Sequence, residues 1–158
     1  MKHIIYTSLL GATNDNTVKS LAGEHVETEA ALKASGITYT ILRNGWYTEN
    51  YTASIPAALA NNAFYGSAKN GKISSVLRAE LAEAAVNVAL SEGHENQTYE
   101  LAGSTSWTLA DLAAEISKQT GKDIPYVDIP AADYAAALVQ AGLDEGFASL
   151  IAQWDVDA

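Results

Sequence analysis

The chain has 158 residues, 48% of them hydrophobic and 18% charged, which is one domain's length and an ordinary water-soluble composition. Its formal charge of −10, from 19 acidic against 9 basic residues, opposes a phosphate backbone, so nucleic-acid binding is not expected. Cysteine is absent, which removes disulfides, thiolate catalysis and Cys-ligated metal and suits a cytoplasmic setting. No apolar run approaches the roughly 20 residues that a membrane helix needs, so no membrane contact is expected.

In chain order, His3 to Ser8 has the residue types of a buried strand ending in small hydroxyls. Gly11 to Asn16 is a polar loop. Thr17 to Ser35 turns helical, with Val18, Leu21, Ala22, Val26 and Leu32 near one stripe and Gly36 as the stop. Ile37 to Leu42 is a second strand. Trp46 to Asn61 reads as helix, kinked or broken at Pro56. A short strand is expected around Phe64, and an Asn70-Gly71 turn leads into a strand over Lys72 to Leu77. Ala79 to Ser91 is an amphipathic helix closed by Gly93, and Gln97 to Ala102 is a strand. Thr108 with Asp111 forms a capping box for a helix ending at Gly121. A short strand over Tyr126 to Ile129 and helices over 131–141 and 145–153 complete the chain. Alternating strands and helices predict an α/β architecture with parallel pairing.

Three groups of residues could carry chemistry. Arg43-Asn44-Gly45-Trp46-Tyr47 follows directly on a strand, where open α/β sheets bind ligands. Asn44 offers a two-way amide, Gly45 permits close backbone approach, and Trp46 and Tyr47 could flank a planar ligand; the alternative is a helix cap beside core aromatics. His25 and Glu29 sit on the inward stripe of their helix, either as a proton-relaying imidazole with its partner or as a satisfied pair that orients the helix. Thr7 and Ser8 end the first strand, as ligand contacts or as ordinary terminators. Arg78 with Glu80 and Glu83 reads as a structural ion pair or cap, and His94 as an exposed turn residue. Gly11-Ala12-Thr13 lacks the further glycines of a phosphate cradle, and the three histidines are too scattered for a metal.

The succession Tyr6-Thr7-Ser8, His25 and Glu29, then Ser35 through Tyr47 resembles the NmrA-like branch of atypical short-chain dehydrogenases/reductases. The likeness is greatest to its NAD(P)H:quinone oxidoreductase type 2 and triphenylmethane reductase members. It continues through Gly71-Lys72-Ile73, Arg78-Ala79-Glu80-Leu81-Ala82, Gly93-His94-Glu95, Tyr99 to Gly103 and Trp107-Thr108-Leu109 into Gly121-Lys122. The resemblance implies part of a Rossmann-like parallel sheet plus a smaller C-terminal α+β substrate lobe, without the N-terminal glycine-loop half. Residues 1–50 would belong to the dinucleotide-binding part and 51–158 mainly to the substrate lobe, interleaved as one compact unit.

The same resemblance implies NADPH as hydride donor, provided the glycine-loop half accompanies this chain, and a quinone or similar planar acceptor. Thr7, Ser8, Asn44, Gly45 and Trp46 would border the nicotinamide; Tyr47 and Asn50 would face the acceptor. His25 stands where many relatives carry the lysine of the active-site helix, so His25, Asn44 and Tyr47 are the expected catalytic residues. An NAD(P)-sensing regulator without turnover and a truncated relative that binds no cofactor are the rival readings. For the sheet edge, a homodimer through it, an aggregation-prone fragment or a rearranged packing is a further expectation.

Overall fold

The computed structural model describes residues 2–12 and 19–158. The expected helix start at Thr17 and the stripe residue Val18 lie outside the described residues, as do Thr13 to Asn16 of the expected loop. The chain divides into two compact units, residues 1–49 with 74–104 and residues 50–73 with 105–158.

In the first unit, β1 (His3–Leu9), β2 (Thr38–Asn44) and β4 (Gln97–Leu101) form a parallel sheet in the order β1-β2-β4. The central strand holds the core: Thr40, Ile41 and Leu42 are almost fully buried. The flanking β1 is only half-buried over Ile4 and Ile5, the pattern of a strand paired on one side. Helix α1 (Lys19–Ala34) runs between β1 and β2, as a parallel crossover requires, and buries Ala22 and Glu29. Helix α4 (Arg78–Leu90) precedes β4 and buries Leu81.

The expected helix over 46–61 is two helices, α2 (Thr48–Thr52) and α3 (Ile55–Asn61). Pro56 sits in the first turn of α3, where its missing N–H costs nothing, so the break falls before it. Asn62 closes α3 in the left-handed conformation with φ 50°.

The second unit pairs β3 (Phe64–Gly66) in parallel with β5 (Tyr126–Asp128). Helices α5 (Leu109–Thr120), α6 (Ala131–Gln140) and α7 (Glu145–Val156) complete it. Phe64, Ile73, Leu109, Ala113, Ile116 and Ile124 form its core. The Thr108–Asp111 capping box forms in both directions, and Gly121 ends α5 at φ 68°. Residues 72–77 do not form the expected strand. Ile73 makes a single bridge to Trp107 and Val76 a single bridge to Tyr47, so each finds a different distant partner and no ladder propagates.

Candidate functional site

Register partners in a parallel sheet present their side chains to the same side, and successive residues alternate. Ser8 pairs with Arg43, so Tyr6, Ser8, Ile41 and Arg43 share one face. That face carries α1. Tyr6 Oη and His25 Nδ1 share a hydrogen bond of 2.7 Å, and Ser8 Oγ donates to Glu29 Oε1 at 2.7 Å. Arg43 donates from Nε to Glu29 Oε1 at 2.9 Å and from Nη2 to Oε2 at 2.8 Å. Its Nη2 also reaches the Ala12 carbonyl at 3.0 Å and its Nη1 reaches Glu100 at 3.2 Å.

Glu29 is only 3% exposed. Burial alone pushes its carboxyl up, but hydrogen bonds from Arg43, Ser8 and Lys33 outweigh it and hold the group at about 2. Arg43 is pushed up in turn, chiefly by its bonds to Glu29 and against the cost of burial. The inward Glu29 therefore pairs with Arg43, a partner the helical stripe could not reveal because only the strand register brings it there.

The opposite face carries Thr7 and Leu9 of β1 with Leu42 and Asn44 of β2. Thr7 is exposed. Asn44 Oδ1 is buried and accepts no hydrogen bond among the described residues, although a buried acceptor is costly to leave unpaired. The backbone beside it is fixed on both sides: Leu10 N–H donates to the Asn44 carbonyl at 2.8 Å, and Gly45 N–H donates to Leu101 O at 2.6 Å. A Cβ on Gly45 would stand 2.7 Å from that same Leu101 oxygen, so close packing against β4 explains the glycine.

Trp46 and Tyr47 are pinned by the segment before α4. Val76 N–H donates to Trp46 O at 2.9 Å, Thr48 N–H donates to Val76 O at 3.1 Å, and the Thr48 and Ser75 hydroxyls lie 2.8 Å apart. The Arg78 guanidinium stacks over the Tyr47 ring at 4.8 Å, an attraction between a cation and the ring face. Arg78 N–H donates to both Glu49 oxygens, while Glu80 accepts from Leu77 N–H. Of the expected ion pair or cap at this helix start, the cap forms through Glu80, while the Arg78 side chain stacks on Tyr47 and its N–H meets Glu49, residues too distant in sequence for a local pattern to find.

The structure brings Thr7, Asn44, Gly45, Trp46 and Tyr47 to the carboxyl end of one sheet and places His25, Glu29 and Ser8 on the α1 face of it. Asn50 is exposed and falls in the second unit. His94 is half-buried rather than exposed, bonded to Ser91 and to the Tyr99 hydroxyl at 2.8 Å. Among the described residues no cluster of three or more metal-ligating side chains occurs, and no helix is long and apolar enough to cross a membrane.

In the second unit, Asp155 is buried and accepts from Ser67 N–H at 2.9 Å. Burial and the nearby Asp128 carboxylate push its pKa up, against the Ser67 bond. Burial, with Asp155 adding to it, moves the Tyr134 phenol to about 12. Burial and the bond to Asp128 raise Tyr126 as well.

A parallel sheet with a crossover helix between neighbouring strands and a polar, aromatic turn at its carboxyl end is the architecture of Rossmann-like α/β nucleotide-binding proteins. The chain belongs to the NAD(P)H-binding family, whose model matches residues 1–92. It is 53% identical over all 158 residues to Quinone oxidoreductase 2 of Escherichia coli, covering 54% of that protein. The crystal structure of that NADPH-dependent enzyme with NADPH superposes with a TM-score of 0.93, covering 100% of this chain and 55% of the other. Triphenylmethane reductase of Citrobacter sp., 35% identical, superposes at 0.93 over 99% of this chain and 54% of its own. An NmrA-like family domain-containing oxidoreductase of Aspergillus flavus is 32% identical over 137 residues, 78% of this chain and 40% of that one. The NmrA-like resemblance and the Rossmann-like fold read from the sequence are thereby met. The chain spans about half the length of these relatives.

Proposed function

We propose that this chain forms the nicotinamide- and acceptor-facing part of an NAD(P)H-dependent oxidoreductase that reduces a quinone or a similar planar acceptor. The observation that carries it is Asn44: a buried amide oxygen without a partner among the described residues, at the carboxyl end of the sheet of an NAD(P)H-binding family member. Such an oxygen suits a donor on the ligand, as a carboxamide N–H would be. When bound, NADPH supplies the hydride, and the acceptor gains a hydride and a proton to become the quinol.

The chain's own residues then have separable tasks. Asn44 orients the ring that it touches, held by Leu10 and Gly45 on either side. Thr7 lies on the same face and is exposed. Trp46 borders the nicotinamide and Tyr47 faces the acceptor, with Tyr47 fixed beneath Arg78. Direct transfer between two held rings depends more on placement than on a strong acid. The proton is assigned to Tyr47 or solvent in preference to His25, because His25 is engaged with Tyr6 on the opposite face. Ser8, bonded to Glu29, supports the site from behind. The quinone-type acceptor and a cytoplasmic location belong to this proposal.

The test is NADPH oxidation by the purified protein in the presence of a benzoquinone, with calorimetry of NADPH binding alongside. Turnover above background supports the reading. Tight NADPH binding without turnover on any quinone tested would favour the regulatory alternative, and absence of both would sink the enzyme reading for this chain.

A further inference from the structure

The side chains most heavily bonded around the sheet's carboxyl end are Glu29 and Arg43. Arg43 immediately precedes Asn44, and its guanidinium reaches three other segments of the chain. It forms a two-pronged bond to Glu29 on α1, reaches the Ala12 carbonyl beyond the end of β1, and touches Glu100 on β4. Glu29 in turn receives the Ser8 hydroxyl from β1. In the segment just after β1, Leu10 N–H donates to the Asn44 carbonyl, and Ala12 N–H turns back to Leu9 O at 3.0 Å.

We infer that the Glu29–Arg43 pair is a positioning device for the candidate site: it locks residues 10–12 against Asn44 and so sets where the Asn44 amide points. This inference rests on the proposed oxidoreductase reading only for its kinetic arm. A planar guanidinium suits the task because its fork presents several donors in fixed directions, which a lysine ammonium cannot reproduce. The pair is also costly to build, since both ions leave water. Spanning β2, α1 and the segment after β1 gives that cost a consequence at the site. The packing of α1 alone would not require the bond to Ala12.

Two substitutions test it in the purified chain, Glu29→Gln and Arg43→Lys, read by amide hydrogen exchange at single-residue resolution. The expected result is a selective loss of protection at Leu10 and Ala12, about tenfold or more, with the central β2 amides of Ile41 and Leu42 unchanged. A uniform drop at all amides, or none, would overturn the inference and leave an ordinary stabilising ion pair. In enzyme that turns over, both variants should raise KM for NADPH about tenfold while the acceptor KM moves less than twofold. Unchanged KM in an active variant overturns it equally. Wild-type protein without quinone reduction would refute the activity reading, and the exchange result would still decide the positioning role.

Discussion

Among the described residues each unit buries one carboxylate, and the two are treated in opposite ways. Glu29 in the first unit meets a guanidinium fork, a serine hydroxyl and a lysine, and its carboxyl is held at about 2. Asp155 in the second unit has a single backbone donor, Ser67 N–H, no cation among the described residues, and a second acid, Asp128, nearby; its pKa moves up. Burial pushes both groups the same way, so the difference lies in the partners. The first unit carries an ionised, fully bonded cluster behind the residues that would meet a ligand. The second tolerates an acid whose charged form its surroundings disfavour. The charge that matters for placement is concentrated in one half of the division.

Removing the cation from the first pair is the largest way to break this contrast. Arg43→Ala leaves the buried Glu29 carboxylate with only Lys33 and the Ser8 hydroxyl as partners among the described residues and should cost about 3–5 kcal/mol of unfolding free energy at pH 7. Urea denaturation measures it, and a loss below about 1 kcal/mol would show that the pair contributes little. Acid has a related effect. The folded pKa of Glu29 lies at about 2, below its ordinary 4.5, so its stability is fully present above the latter. It is lost as the pH falls toward the former, and the wild-type midpoint should decline through that window. In Arg43→Ala the decline should be shallower.

Gly45 gives a second test of the same end of the sheet, by packing rather than charge. An alanine methyl would meet the Leu101 carbonyl at 2.7 Å and the Ala102 Cα at 3.2 Å, both backbone atoms that cannot step aside. Gly45→Ala should cost about 1–3 kcal/mol and weaken NADPH binding, measured by thermal unfolding and calorimetry. Full stability with normal binding would mean that β2 and β4 are free to part here.

How much of this was legible in the sequence follows from the range of each signal. β1, α1, β2 and the α5 caps announce themselves locally: a β-branched run before Arg43, a glycine after the helix, Thr108 three residues before Asp111. The stripe also marked Glu29 as buried. What the stripe could not say is which face of the sheet receives the helix, since β2 buries the successive residues Thr40, Ile41 and Leu42 alike and so offers no polar face to settle it. His25 and Asn44 therefore read as two walls of one site, yet the register sets them on opposite faces. Ser8, read either as a ligand contact or as an ordinary strand terminator, lies on the α1 face bonded to Glu29. Residues 72–77 had strand composition, but their partners Trp107 and Tyr47 lie in distant segments. Asp155 left a detectable trace: it follows Ala148 and Ala152 at helical spacing on the buried face of α7.

Asp155 sharpens the contrast from the other side. Because its folded pKa is raised, its contribution is present at low pH and is lost as the pH rises through that folded value. Asp155→Asn keeps an oxygen for the Ser67 N–H and removes the repulsion with Asp128. It should raise stability at pH 7 by about 1 kcal/mol, with the gain vanishing in acid where the wild-type carboxyl is already protonated. Melting temperatures of both proteins across pH 3 to 8 check this, and a loss of stability at neutral pH would show that the negative charge itself is used.

The smallest expected effect lies within the Glu29 cluster itself. Lys33 and Arg43 both bond Glu29 Oε2, at 3.1 and 2.8 Å, but Lys33 is 42% exposed and Arg43 15%. Water already screens the ammonium, and its single bond spans one helical turn, an arrangement worth only a few tenths of a kcal/mol on a surface. Lys33→Ala should therefore change stability by less than about 0.5 kcal/mol and leave the exchange of Leu10 and Ala12 as in the wild type. The fork, not the net count of positive charges, would then be what fixes the carboxylate. A loss comparable with that of Arg43→Ala would reverse this conclusion and make charge alone the organising quantity.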